Sequence, residues 1–124
     1  PDTLSYLSAH TCLVYPYWSV RDAWTFSAAD GRIHTIPVKN RLWCNNGDAL
    51  MNAAISGLGV VLQPDFIVHQ AIREGRLVEI LGDFSGPEID IHALYAPSAF
   101  MPIRTRSFID FLMMSFAKET PWTV

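Results

Sequence analysis

Between residues 45 and 64 the chain reads NNGDALMNAAISGLGVVLQP, and this stretch restricts what can be built around it. Asn45 and Asn46 open it, and an asparagine side chain there can accept from the free N–H groups of a starting helix. Asp48 falls in the first turn, where the helix dipole favours a carboxylate. From residue 49 to 55 only Asn52 is polar, and Asn52 and Ser56 share one face, so the helix is expected to be covered on most sides. Gly57 and Gly59 end it, one of them in the left-handed conformation that only glycine adopts cheaply. Val60, Val61 and Leu62 read as a strand buried on both faces of a parallel sheet, and Pro64 opens a second helix. Helix, tight turn, strand and helix in so short a span require an α/β chain.

The flanks extend this plan. Before it, residues 11–15 (TCLVY) read as a buried strand and residues 24–28 (WTFSA) as a second. Asp30-Gly31 is a hairpin turn into residues 32–39, which Pro37 marks as an edge strand because proline cannot donate to a ladder. Residues 41–45 are a further strand candidate. After it, the helix from Pro64 is stopped by Gly75, and residues 77–81 (LVEIL) complete an expected β-α-β-α-β order with a largely parallel sheet. Residues 82–87 (GDFSGP) form a linker. Residues 89–95 alternate as a strand does, Pro97 and Pro102 bracket a loop, and residues 103–118 form a long helix with Phe108, Phe111, Leu112 and Phe116 on one stripe. The first nine residues have the texture of a segment entering a domain, and a fragment of a longer protein is expected.

Composition narrows the partners. Nine basic residues are scattered among twelve acidic ones, giving a net charge of −3, which argues against nucleic-acid binding by this segment. No apolar run approaches the ~20 residues that span a bilayer, so no membrane partner is expected. Half the residues are hydrophobic and only 17% charged, a core-rich balance for 124 residues. Part of that apolar surface is expected to meet a second subunit or another part of the same domain. Cys12 and Cys44 sit far apart in apolar contexts, which favours packed reduced thiols over a disulfide.

Catalytic and metal chemistry find little support. The four histidines show no ligand spacing, and neither Cys-x-x-Cys nor Gly-x-Ser-x-Gly occurs. His10 and Cys12 share a strand face and could form a nucleophile pair, but an inert packed thiol is favoured. No catalytic residue, metal or cofactor is therefore expected. What remains is a binding geometry. Ligands of open α/β sheets sit beyond the carboxyl ends of the strands, where helix N-termini present free N–H groups. That places Asn45, Asn46, Gly47 and Asp48 at one junction, and Gln63 and Pro64 at the next. A small anion or polar metabolite suits such a site, while plain capping by the asparagines is the alternative.

The same residues resemble the effector-binding domain of LysR-type transcriptional regulators. The resemblance runs through Leu7 and the segment from His10 to Tyr15, then Trp24-Thr25-Phe26. It continues with Leu42, Asn45 and Asn46, followed by Ala49-Leu50, Ala53-Ala54 and Gly57-Leu58-Gly59-Val60. Gln63-Pro64, the segment from Gly75 to Val78, and the segment from Phe108 to Leu112 close it. The resemblance implies a two-lobed, type 2 periplasmic-binding-protein-like α/β fold with a mixed, mainly parallel sheet. Residues 10–84 would form the second lobe nearly complete, and residues 1–9 and 85–124 the hinge and an incomplete part of the first lobe.

It further implies a cytoplasmic, ligand-sensing regulatory domain that is not an enzyme. A small-molecule effector would bind in the interlobe cleft, the protein would be a homo-oligomer (dimer or tetramer), and DNA would be bound only through an N-terminal winged helix-turn-helix absent from this chain. By position, the effector-facing residues would be Asn45, Asn46, Gly47 and Asp48, with Gly59 and Val60 at the turn into the strand. Gln63 stands where the family often has a hydrophobic residue. A transport-type solute-binding protein of the same fold is the alternative.

Overall fold

In the computed structural model, which describes residues 3–17, 22–95, 101–118 and 122, the first element is a 3-10 helix, Leu4–Ala9. Three-residue spacing brings Leu4 and Leu7 onto one side of such a helix, and both are buried. The strands β1 (Thr11–Val14), β2 (Ala23–Ala28), β3 (Ile33–Pro37) and β4 (Lys39–Trp43) follow. Then come α1 (Gly47–Ile55), β5 (Val60–Val61), α2 (Asp65–Arg73), β6 (Phe84–Ser85) and α3 (Ile103–Lys118).

Two three-stranded sheets result. One is parallel, in the order β4-β1-β5, and the other antiparallel, in the order β3-β2-β6. Within β1, Cys12, Leu13 and Val14 are all fully buried. Their side chains alternate between faces. Cys12 and Val14 join Leu4, Leu7, Trp24, Phe26 and Val38 in one cluster, while Leu13, Leu50, Val68 and Ala71 make up the remaining buried set. The 3-10 helix packs on β1, β3 and β4, and α1 packs against β1, β5 and α2.

Most of the expected elements are present. The turn at Asp30-Gly31 closes the β2–β3 hairpin, with the Ala28 N–H donating to Arg32 O and the Gly31 N–H to Ala28 O, both at 2.9 Å. Strand β3 lies at a sheet edge, as Pro37 requires. Helix α1 starts from Asn46, whose side chain accepts from the Ala49 N–H at 2.9 Å. It ends at Gly57, which is the left-handed residue, with φ of 77°. Gly59 acts through space instead: a Cβ there would collide with the Thr11 carbonyl oxygen. This close approach lets β5 lie beside β1.

Three expectations are corrected. Val60 and Val61 are half-buried at the sheet edge, because β1 takes the central position. Residues 77–81 form no strand: Val78 is 81% exposed, Leu81 has φ of 62°, and a left-handed residue breaks an extended run. Ile80 and Leu81 pack instead against the core cluster. Residues 89–95 also pair with no strand and are exposed throughout, since alternation alone makes no strand without an edge to dock on. Helix α1 is covered on most sides as expected: Leu50 is fully buried, and only Asp48, Ala49 and Asn52 form an exposed stripe. The loop expected between Pro97 and Pro102 lies largely outside the described residues.

Apolar side chains remain in the open. Ile91, Leu94 and Tyr95, with Phe108, Phe111, Met113 and Met114 of α3, are all more than half exposed. Trp122 alone links α3 to α2 through described aromatic contacts, with ring centroids 5.5 Å from Phe116 and 6.0 Å from Phe66.

Three outcomes follow from this packing. Gly59→Ala is expected to destabilise the chain by about 1–3 kcal/mol in urea unfolding, because backbone atoms of β1 would have to shift. Gly82→Ala, where a Cβ meets nothing within 4 Å, is expected to be near neutral.

The second concerns Cys12, a fully buried free thiol that burial pushes up to about 11. An unfolded chain ionises this thiol near 9.0, so stability is full below that pH and falls as pH rises towards 11. The loss approaches about 2–3 kcal/mol, and Cys12→Ala should flatten that part of the melting profile. In the native protein at neutral pH, iodoacetamide should label the half-buried Cys44 ahead of Cys12, read by peptide mass spectrometry. Third, exposed apolar area of this extent drives association. Light scattering should show oligomers at high concentration, and a compact monomer would contradict the reading.

Candidate functional site

In a parallel sheet all strands end on the same edge, so the carboxyl ends of β4, β1 and β5 lie together. Three segments leave that edge. From β1 the chain passes to Tyr15 and Tyr17, whose rings pack 5.5 Å apart. From β4 it passes through Trp43 and Cys44 to Asn45 and α1, and from β5 through Leu62 and Gln63 to α2. The Cys44 N–H donates to Val14 O at 3.2 Å, which extends the β1–β4 pairing to the start of the loop.

At the N-terminus of α1, Asn46 satisfies the Ala49 N–H with its side chain and the Leu50 N–H with its carbonyl. The N–H groups of Gly47 and Asp48 have no partner among the described residues. They point along the helix axis at its positive dipole end. Asn45, Asn46 and Asp48 are exposed, whereas Gly47 is half-buried.

Gly47 is overlain by the next junction. A Cβ at Gly47 would sit 3.0 Å from Gln63 Oε1 and 2.5 Å from Ile67 Cδ1. The carboxamide of Gln63 thus lies against the α1 terminus. Its Nε2 and Oε1 are both buried, and neither has a hydrogen-bond partner.

The structure thereby brings Asn45, Asn46, Gly47, Asp48 and Gln63 to one edge. Gly59 and Val60 lie elsewhere: Val60 pairs with Cys12 near the amino ends of the strands, and Gly59 is pressed on Thr11. Their evident role is to seat β5, which in turn positions Gln63.

Sequence reasoning missed two contributors. Trp43 is 57% exposed at the end of β4, and its Nε1 donates to Asp22 Oδ1 at 3.3 Å. Asp22, in a left-handed conformation with φ of 57°, also accepts from Asn40 Nδ2 at 3.2 Å and from the Val38 N–H through its carbonyl at 2.8 Å. This carboxylate braces β4 and holds the indole at the strand end. Aspartate tolerates left-handed backbone better than most residues, but nothing in the local sequence announces the long-range pairing.

The nucleophile alternative at His10 and Cys12 is not supported by the geometry. His10 is exposed and its Nδ1 lies 2.7 Å from Tyr6 O, while the Cys12 thiol faces the carbonyl oxygens of His10 and Leu7 at 3.7 and 4.0 Å. A thiol ionising near 11 is thiolate in only about one molecule in ten thousand at pH 7. Among the described residues, no group of three or more His, Cys, Asp or Glu side chains could hold a metal. No described helix is long and apolar enough to cross a membrane.

Comparison with known proteins agrees with this architecture. Residues 1–117 match the LysR substrate binding domain family. The HTH-type transcriptional regulator PtxR of Pseudomonas aeruginosa is 36% identical over 110 residues, which covers 89% of this chain and 33% of PtxR. The regulatory domain of AphB from Vibrio vulnificus superimposes with a TM-score of 0.75 at 29% identity, covering 93% of this chain and 56% of that one. The full-length virulence activator AphB of Vibrio cholerae, an LTTR family member, superimposes with a TM-score of 0.77 at 28% identity, covering 93% of this chain and 39% of that one. The chain thus spans about a third of the length of PtxR and little more than half of the AphB regulatory domain. The transport-type alternative has no counterpart among these relatives. With its α/β architecture, one parallel and one antiparallel sheet, matching that of the LysR regulatory domains, the chain belongs to the LysR substrate-binding domain family.

Proposed function

We propose that this chain is the part of a LysR-type regulator's sensing domain that forms one wall of an effector cleft. The observation that carries the reading is the α1 N-terminus at the carboxyl edge of the parallel sheet, with two unpartnered N–H groups beside the Gln63 junction. Such a terminus favours a small ligand with an anionic or strongly accepting group. Asn45, Asn46, Gly47, Asp48 and Gln63 form the wall, while Gly59 and Val60 shape it from beneath.

In this reading residues 10–84 are the second lobe. Residues 1–9 and 85–124 are the hinge and a part of the first lobe, whose remainder covers the exposed residues 89–95 and α3. The whole regulator is a cytoplasmic homo-oligomer, a dimer or tetramer, that binds DNA through a winged helix-turn-helix outside this chain. Effector binding biases the oligomer between arrangements, which requires different affinities for each. The chain performs no catalysis and needs no cofactor. The match to a family of transcriptional regulators and the inert Cys12 thiol support that part of the reading.

A thermal-shift screen of small carboxylates and polar metabolites, on the complete two-lobed domain, tests the proposal. A true effector at a hundredfold excess over its Kd should stabilise the domain by about 2.7 kcal/mol. The pair Gly47→Ala and Gly47→Pro then isolates the helix terminus. Both add the same Cβ, but proline also removes the N–H, and it is tolerated at the first helical position. The proline variant should bind about tenfold or more weakly than the alanine variant, as expected for losing one charge-assisted hydrogen bond. Equal affinities would place the ligand elsewhere.

A further inference from the structure

Gln63 is oriented against the usual rule for its type. Long polar side chains ordinarily cover apolar surface with their stems and keep their heads in water. Here the residue as a whole is only half-buried, yet both polar atoms of its carboxamide are buried and unpartnered. What remains in contact with solvent is therefore stem and backbone. A buried amide with neither donor nor acceptor satisfied opposes folding, and an apolar side chain of similar length would remove that penalty. Leucine or methionine would fill the same space without it, so the residue is held here at the expense of stability.

The head lies at one specific place. Its Oε1 sits over Gly47, in space that exists only because residue 47 lacks a side chain. At the same helix terminus the N–H groups of Gly47 and Asp48 have no partner among the described residues. The Gln63 carboxamide therefore shares this junction with these two backbone N–H groups. An acceptor with more than one lone-pair-bearing oxygen suits a junction that offers both backbone N–H groups and a side-chain amide, and a carboxylate has that form. A small rotation about the glutamine side-chain torsions would expose the head to such a ligand, and no hydrogen bond of the amide needs to break first.

We propose that Gln63 is a specificity-determining residue, whose carboxamide turns off Gly47 to bind a carboxylate seated on the α1 N-terminus. This rests on the effector-cleft reading above and adds the ligand's chemical class and the side chain that selects it. The amide oxygen then becomes free to accept from a hydroxyl or ammonium group next to that carboxylate. The orphaned amide of the unliganded chain is thereby explained as a group kept unpaired until ligand arrives.

The test uses the 15N-labelled complete two-lobed domain that contains this chain, titrated with acetate, with acetamide as a neutral isostere, and compares wild type with Gln63→Met. Acetate is expected to shift the backbone amides of Gly47 and Asp48 and the Gln63 side-chain NH2 on one saturating curve, with acetamide weaker. Gln63→Met should raise Tm by several degrees without ligand, because the orphan is removed, and should weaken acetate binding about tenfold. A lower Tm in Gln63→Met would overturn the proposal, since it would show the amide engaged in the fold. Equal acetate affinity in both proteins, with Gly47 and Asp48 still responding, would overturn the role of Gln63 and leave the cleft reading standing. No response of Gly47 and Asp48 to acetate would overturn both.

Discussion

The pairing of β1 with β4 on one side and β5 on the other is the constraint on which the rest of this structure depends. Thr11–Val14 is short, yet three of its four residues are fully buried, and it contacts the 3-10 helix, both flanking strands and α1. A strand buried on both faces has no polar face to fix it in place, so its position is set by backbone pairing and by what can approach it. Gly59 makes the approach on the β5 side possible, because no side chain separates it from the Thr11 carbonyl. Once the three strands are parallel, their carboxyl ends share an edge. The α1 terminus and the Gln63 junction then meet as a consequence of that geometry.

The molecule distributes its polar and apolar groups unevenly around this centre. In the core cluster a thiol, the rings of Trp24 and Phe26, and aliphatic side chains pack together, and no buried polar or charged residue is found among the described residues. The ion pairs are local and exposed, Arg32 with Asp30 and Arg76 with Glu74, so they contribute little. The Asp30 carboxyl is held below its ordinary range by the Arg32 backbone N–H and guanidinium, which ties the hairpin turn rather than the domain. Against that background, the unsatisfied amide of Gln63 and the exposed apolar run through residues 89–95 and α3 are departures of opposite kinds. One is a polar group where apolar packing would be more stable, and the other is apolar surface that water does not favour. Both fit a chain whose surfaces answer to something besides its own stability.

Legibility in the sequence varied with the range of the interactions involved. The N-cap at Asn46, the helix stop at Gly57, the turn at Asp30-Gly31 and the edge position marked by Pro37 were all readable, because each is decided by a few neighbouring residues. Helix α3 was readable too, since its apolar stripe recurs over several turns. Residues 77–81 and 89–95 were misread as strands because alternation describes a strand's faces and says nothing of an available edge. The 3-10 helix was missed because two leucines three apart are a weak signal in so short a segment. The brace from Asp22 to Asn40 and Trp43 joins residues some twenty positions apart, and nothing local marks it.

By itself the sequence determined the local elements around residues 45–64, the net negative charge, and the resemblance to LysR effector-binding domains. Capping, glycine geometry and charge counting act over a turn or two and need no fold to be evaluated. The tertiary structure alone decided that β1, rather than β5, is the central strand, and that Gly59 serves the packing of β5. It also decided that the Gln63 amide lies buried and unpaired over Gly47. Each of these depends on which segments become neighbours in space, and that is settled by pairing and packing among residues the chain order keeps apart. The stretch from Asn45 to Gln63 reads as two separate helix starts in the sequence, and the parallel sheet makes them one site.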